Sequence, residues 1–268
     1  MMFHAKNGTL RIGNTEMDYI RFGTGKRNLV ILPGLGDGLT TVKGTALPMA
    51  WMYRIFAKDF TVYAFSRKND LPKGYSTRDM ARDQAEAMEM LGIEKADVFG
   101  VSMGGMIAQW LAVNYPEKVN KLILTVTCAR PNLILTESVE EWIRLAKEGD
   151  AAGFMDSNLR RIYSDDYYRK NKWMAPVVGK VTKPKSYDRF FVQAEACLTH
   201  DAFDRLHEIR AATLVVGGEK DLALGGEASR EIAAEIHGAQ LKMYAQWGHG
   251  LYEEETEFNR MILEFLKR

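Results

Sequence analysis

The chain has 268 residues, 46% hydrophobic and 26% charged, with a formal net charge of +1. This balance supplies a sizeable core and gives no global pull toward nucleic acid or an anionic membrane surface. The two cysteines, Cys128 and Cys197, make neither a disulfide framework nor a Cys/His cluster for zinc, which suits a reducing compartment.

The N-terminal stretch Met1–Gly8 is too short and polar to read as a signal peptide, and no apolar run reaches the roughly 18 residues of a bilayer span. The expectation is a soluble, cytoplasmic protein built as one large α/β domain, or one such domain with an insertion. Residues 9–22 read as two short strands around the turn dipeptide Gly13-Asn14. Leu29-Val30-Ile31-Leu32 is a continuous aliphatic run, as a strand buried on both faces requires, and it ends at Pro33-Gly34-Leu35-Gly36-Asp37-Gly38. A helix is expected over 44–57 and a buried strand over Phe60–Phe65. Met80, Ala81, Ala85, Met88 and Leu91 then share one helical stripe, closed by Gly92. A strand from Ala96 to Phe99 leads into Gly100-Val101-Ser102-Met103-Gly104, and a helix continues through Met106–Val113. Leu122–Val126 is the next strand. Strand and helix alternate throughout, which argues for a mostly parallel, doubly wound sheet.

The rhythm breaks between 128 and 205, where apolar residues follow helical spacing and helices are expected around 136–148, 150–162 and 186–198. This is too long for a loop, and it reads as a helical cap inserted into a core formed by 1–127 and 206–268. Beyond it come a strand at Thr213–Gly217, a helix at 226–237, a strand at Leu241–Tyr244 and a closing helix at 254–267.

The Gly-x-Ser-x-Gly pentapeptide sits where a buried strand meets a helix. Gly100 and Gly104 flank Ser102 where a Cβ would meet the opposing backbone, so the turn lifts the hydroxyl and aims the first helical amides beside it. A serine hydroxyl needs a general base oriented by an acid to act as a nucleophile at neutral pH. Of five histidines, His4 lies at a terminus, His200 and His207 on helical or polar ground at the insertion's exit, and His237 at a helix end. His249 differs, in a glycine-bracketed loop just past the last strand, where open α/β sheets place their sites. For the acid, Glu219 and Asp221 both follow the strand 213–217, and distance from the strand end favours Asp221. After the strand 122–126 there is no carboxylate until Glu137.

The elbow Gly100–Gly104, the segment Gly218-Glu219-Lys220-Asp221 and the terminal Gly248-His249 follow in the order nucleophile, acid, histidine, each after a strand. Together they resemble the α/β-hydrolase fold family over nearly the whole chain. The resemblance implies a Ser102–Asp221–His249 triad and an oxyanion hole from the amides of Met103 and Leu35, with Gly34 and Gly36 as alternatives to Leu35. Many members begin the latter loop with His-Gly, whereas this chain has Pro33-Gly34 and so lacks the usual side-chain brace. The acidic-x-Arg-Gly pattern after the following strand is likewise weakened to Ser66-Arg67-Lys68-Asn69.

The chemistry implied is acyl transfer through an acyl-enzyme, with no metal or organic cofactor and a small-molecule acyl substrate as partner. A small ester is the leading substrate class. Thioester, lactone or carbon–carbon bond hydrolysis, perhydrolysis and hydroxynitrile lysis are alternatives on the same triad, and a non-catalytic ligand-binding protein is the alternative of another class. Serine at 102 sets aside the dehalogenases and epoxide hydrolases, which use aspartate, and the loop lacks the His-Gly-Gly-Pro-Gly of proline iminopeptidases. Gly34, Met106 and Trp247 are candidate pocket residues, with core packing as the other reading of Met106 and Trp247. The aromatics from Trp142 to Phe191 supply either the insertion's own core or an apolar pocket. Arg169 to Lys185 holds six basic residues and no acidic one, which reads as a solvated face or an attraction for anions. Oligomeric state is not legible.

Overall fold

The structure, a computed structural model, describes residues 2–268. Eight strands make one sheet: β1 (Lys6–Ile12), β2 (Thr15–Phe22), β3 (Arg27–Leu32), β4 (Phe60–Lys68), β5 (Ala96–Val101), β6 (Val119–Thr125), β7 (Ala212–Gly218) and β8 (Gln240–Tyr244). Their order is β1-β2-β4-β3-β5-β6-β7-β8. β1 and β2 are an antiparallel hairpin on the edge, and β4, β3, β5, β6, β7 and β8 run parallel.

Period-2 alternation explains why both faces are covered. Val30, Leu32, Val98, Leu122 and Leu124 join one buried cluster, while Leu29, Ile31, Phe99, Val101 and Ile123 join a second on the opposite face. Helix α1 (Ala46–Met52) packs on the second cluster, and α2 (Thr77–Met90) and α3 (Met103–Asn114) on the first. A capping box at Ser76 and Asp79 starts α2, and Gly92 takes the left-handed φ of 66° just beyond it.

Strand order reverses between β3 and β5, where Leu32 pairs with Gly100. The chain leaves β3 toward β4 on one side and enters β5 toward β6 on the other. The loops after β3 and β5 therefore flank one crevice at the carboxyl edge, the place where an open parallel sheet binds ligands.

Between β6 and β7 the described residues form no strand. They make α4 (Leu133–Glu148), α5 (Ala151–Ile162), α6 (Asp165–Asn171), α7 (Ala175–Thr182) and α8 (Asp188–Leu198). Asn132, Asp150 and Ser164 each accept an amide at the start of α4, α5 and α6. α8 packs on the 3-10 turn Leu35–Gly38 after β3. After β7 come α9 (Glu227–Glu235) and, beyond β8, α10 (Leu251–Glu254) and α11 (Phe258–Lys267).

Several boundaries differ from expectation. β5 runs to Val101 rather than Phe99, with Gly100 and Val101 still paired to β6, and the missing Cβ of Gly100 leaves room for α3 rather than for pairing. The helix expected over 44–57 is α1 and a separate 3-10 turn at Arg54–Phe56, and the closing helix expected over 254–267 starts only at Phe258, as α11, after the short α10. α6 and α7 are not among the expected helices. Among the described residues no helix is long and apolar enough to cross a membrane.

Candidate active site

Ser102 lies between β5 and α3 with φ 55° and ψ −123°, a conformation rare for a residue with a side chain. Its surroundings hold it there. The Ser102 amide donates to the Thr125 carbonyl at 2.9 Å, and its carbonyl accepts from the Thr127 hydroxyl and the Gly105 amide, both at 2.8 Å. The approach of α3 to the sheet demands the glycines: a Cβ on Gly104 would stand 1.9 Å from the Leu32 carbonyl oxygen, and one on Gly100 2.6 Å from that of Gly104. The Ser102 side chain does not cap α3, and Met103 opens that helix, its side chain buried and its amide outside the helical hydrogen-bond ladder.

The loops after β7 and β8 interlock through main-chain contacts. Glu219 N donates to Tyr244 O at 3.0 Å and Lys220 N to Trp247 O at 3.1 Å. Gly218 and Gly248 permit the approach, since a Cβ on either would meet backbone of the other loop at 2.5 to 2.7 Å. The result brings Asp221 to His249, with Oδ2 2.8 Å from Nδ1. The other Asp221 oxygen accepts the amides of Ala223 and Leu224 at 2.8 and 2.9 Å. Both residues are buried. Glu219, the competing carboxylate, is instead paired with Arg230 at the surface.

Ser102 and His249 wall the same cavity, of about 270 Å³. Its other walls include Pro33–Asp37, Trp142 of α4, Phe154 and Ile162 of α5, and Phe190 of α8. Gly34 and Leu35 are thus at the cavity; Met106 is a fully buried member of the core beneath it. Trp247 lines a separate groove of about 860 Å³ with Tyr163, Tyr167 and Lys220, and its indole N–H donates to Glu255 at 2.9 Å. Arg169 and Lys170 of the basic run face that groove rather than the Ser102 cavity. Of the aromatics between β6 and β7, Trp142, Phe154 and Phe190 reach the cavity, while Trp173 is 72% exposed. Tyr252 and Asn158 also line it; neither carries a sequence signal beyond its place near His249 or on α5.

A family model described as the alpha/beta hydrolase fold matches residues 28–256. The chain belongs to the α/β-hydrolase fold family. Among relatives of this hydrolase, a protein of Caulobacter segnis provisionally named carbamate hydrolase RutD is 28% identical over 201 residues, covering 74% of this chain and 75% of that one. The 2-hydroxy-6-oxo-6-phenylhexa-2,4-dienoate hydrolase of Comamonas testosteroni is 28% identical over 225 residues, 81% and 78% of the two chains. In fold, the hydrolase is similar to MGS-M2, an alpha/beta hydrolase enzyme from a deep-sea metagenome library, with a TM-score of 0.84 at 20% identity over 97% and 98% of the chains. The enol-lactonase of Burkholderia xenovorans gives 0.79 at 22% identity over 97% and 100%.

Other reactive groups in this hydrolase lie away from the cavity. Cys128 and Cys197 are buried, and burial pushes both thiols up, toward the unreactive protonated form. The sequence reads His200 as lying on helical or polar ground just before the strand at 213–217. It is instead 1% exposed, its Nδ1 2.9 Å from the Thr77 hydroxyl and its Nε2 3.3 Å from Gln109 Oε1. Among the described residues no group of three or more His, Cys, Asp or Glu has the arrangement of a metal site.

Proposed function

We propose that the protein is a serine hydrolase of small acyl substrates, with Ser102 as nucleophile, His249 as general base and Asp221 orienting the base. The observation that carries this reading is that Ser102 and His249 wall one cavity while the far nitrogen of His249 is bound to a buried carboxylate. With Nδ1–H donating to Asp221, Nε2 is the unprotonated nitrogen, the tautomer a base needs. His249 takes the Ser102 proton as the oxygen attacks a carbonyl, and the amides of Leu35 and Met103 hold the oxyanion. The imidazolium then protonates the leaving group, and a water activated by the same ring releases the acyl group. Residues 128–205 act as a cap: α4, α5 and α8 supply the cavity's roof and so its specificity.

A cavity of about 270 Å³ with Trp142, Phe154, Ile162 and Phe190 in its walls suits a short apolar acyl group. A small carboxylic ester is the leading substrate. The names of the relatives extend the set worth assaying to carbamates, lactones and carbon–carbon bonds beside a carbonyl. The test is labelling with a fluorophosphonate followed by turnover of p-nitrophenyl esters of increasing acyl length. Labelling of wild type that disappears in Ser102→Ala, with turnover falling beyond short acyl chains, is the expected result. Folded wild-type protein that takes no label would sink the nucleophile assignment and leave a ligand-binding protein on a hydrolase scaffold.

A further inference from the structure

A charged cluster lies buried under the loop that forms one wall of the cavity. Asp37, in the 3-10 turn after β3, is 4% exposed, and Arg67, near the end of β4, is 1% exposed. Asp37 Oδ2 accepts the Arg67 amide at 3.1 Å and lies 3.7 Å from the Arg67 guanidinium. That guanidinium donates to the Pro33 carbonyl at 2.6 Å, at the start of the same loop. A second guanidinium, Arg189 of α8, pairs with the Asp37 carboxylate and also takes the Asp37 carbonyl, the Arg67 carbonyl at 2.9 Å and the Lys68 carbonyl at 3.0 Å. Two arginines thus hold the carbonyls at both ends of Pro33–Asp37, one from the sheet and one from the helical insertion.

This arrangement has a consequence for the amides. In a planar trans peptide the carbonyl and the next N–H point in opposite directions, so the arginines orient the Gly34 and Gly38 amides directly and reach the Leu35 amide through the turn between them. The Gly34 carbonyl accepts the Asp37 amide at 3.2 Å inside the turn, which leaves the Leu35 N–H directed away from it. The Pro33-Gly34 start has no side chain able to brace the loop, and the buried Arg67 and half-buried Arg189 guanidiniums do so instead. A planar fork of five donors can serve several carbonyls and a carboxylate at once, which an ammonium cannot. The neighbouring residue of α8, Phe190, lies against the same turn, since a Cβ on Gly38 would be 2.9 Å from its Cα, and it also lines the cavity.

We propose that Arg189 is a positioning residue for catalysis, holding the oxyanion-binding loop through Asp37 so that the loop takes its catalytic geometry only when α8 is seated. The proposal rests on the serine-hydrolase reading above. It predicts a defect in the transition state rather than in substrate binding. In Arg189→Met, kcat for a short p-nitrophenyl ester should fall about 10- to 100-fold, as a small misplacement of oxyanion donors would cause, with KM within about 2-fold. Affinity for a boronic acid that mimics the tetrahedral state should fall in step with kcat, and the pH profile of kcat/KM should keep its shape. Arg189→Lys keeps the charge but not the fork, and should recover only part of the loss; if the methionine variant fails to fold, this variant decides. Wild-type kcat in either folded variant, or equal losses in substrate and boronate affinity, would overturn the proposal. Failure of the underlying reading shows earlier and differently, as wild-type protein that takes no fluorophosphonate at Ser102, which overturns both.

Discussion

One oxygen of Asp221 faces His249 Nδ1 at 2.8 Å while the other is held by the main-chain amides of Ala223 and Leu224. The carboxylate cannot turn without losing two amide bonds, so the imidazole it faces is fixed in both tautomer and orientation. Asp221→Asn keeps the size but presents an amide in place of an acceptor-only group, and the ring loses its preference for Nδ1–H. The expected outcome is a fall in kcat of about 10³- to 10⁴-fold with the protein folded, read from ester turnover and near-UV circular dichroism. Ser102→Ala should remove turnover and fluorophosphonate labelling together. Wild-type rates in Asp221→Asn would mean that another group orients the base.

The serine turn makes a second claim that can be tested sterically. Gly104→Ala places a methyl 1.9 Å from the Leu32 carbonyl oxygen, a backbone atom of a central strand that cannot yield cheaply. Loss of about 3 kcal/mol of stability or more is expected in urea unfolding, together with loss of labelling. Gly36→Ala is the control, because a Cβ there meets nothing within 4 Å; its stability should stay within about 1 kcal/mol of wild type. Similar effects from both would remove the argument that close packing of α3 on β3 shapes the turn.

The central strands and α2 were legible because their signals are local. Period-2 burial and a helical stripe ending at glycine are written within about a dozen residues. The elbow and the two loops at 218–221 and 246–250 were legible through their glycines, whose absent side chains the interlocked loops require. The helical segment between β6 and β7 was read less well. α6 buries no side chain, and α7 buries only Ala175 and Gly179 against α5, so neither carries the large apolar stripe that marks a core-facing helix. In α7 the larger apolar residues Val177 and Val181 face outward, at 63% and 79% exposure, which reverses the usual pattern. The Asp37–Arg67–Arg189 cluster joins residues 30 to 152 positions apart, and no local pattern announces such a pairing.

The roof of the cavity should set acyl length. Phe154 stands edge-on to Phe190 at 5.4 Å between ring centroids, both buried and both lining the cavity. Phe154→Ala enlarges the cavity at its α5 wall. The expected result is a shift of the best p-nitrophenyl ester to a longer acyl chain, at a stability cost of about 3 to 5 kcal/mol. An unchanged acyl profile in folded variant protein would mean that the acyl group does not reach this wall.

His200 makes acid stability a further test, separate from catalysis. Gln109 spends its amide nitrogen on the Cys128 carbonyl at 3.0 Å, so its Oε1 faces His200 Nε2 as an acceptor and Nε2 carries the hydrogen. Nδ1 then accepts from the Thr77 hydroxyl, and the neutral ring is satisfied on both sides. Burial lowers its pKa to about 3 from the ordinary 6.5. Between those values the unfolded chain binds a proton that the folded ring excludes, so stability falls as pH drops from about 6.5 toward 3, by at most about 1.4 kcal/mol per pH unit from this group. His200→Gln, which cannot take up that proton, should flatten this part of the stability curve while lowering its plateau, as urea midpoints measured from pH 7 to pH 4 would show. An unchanged slope in the variant would mean that other groups govern acid unfolding.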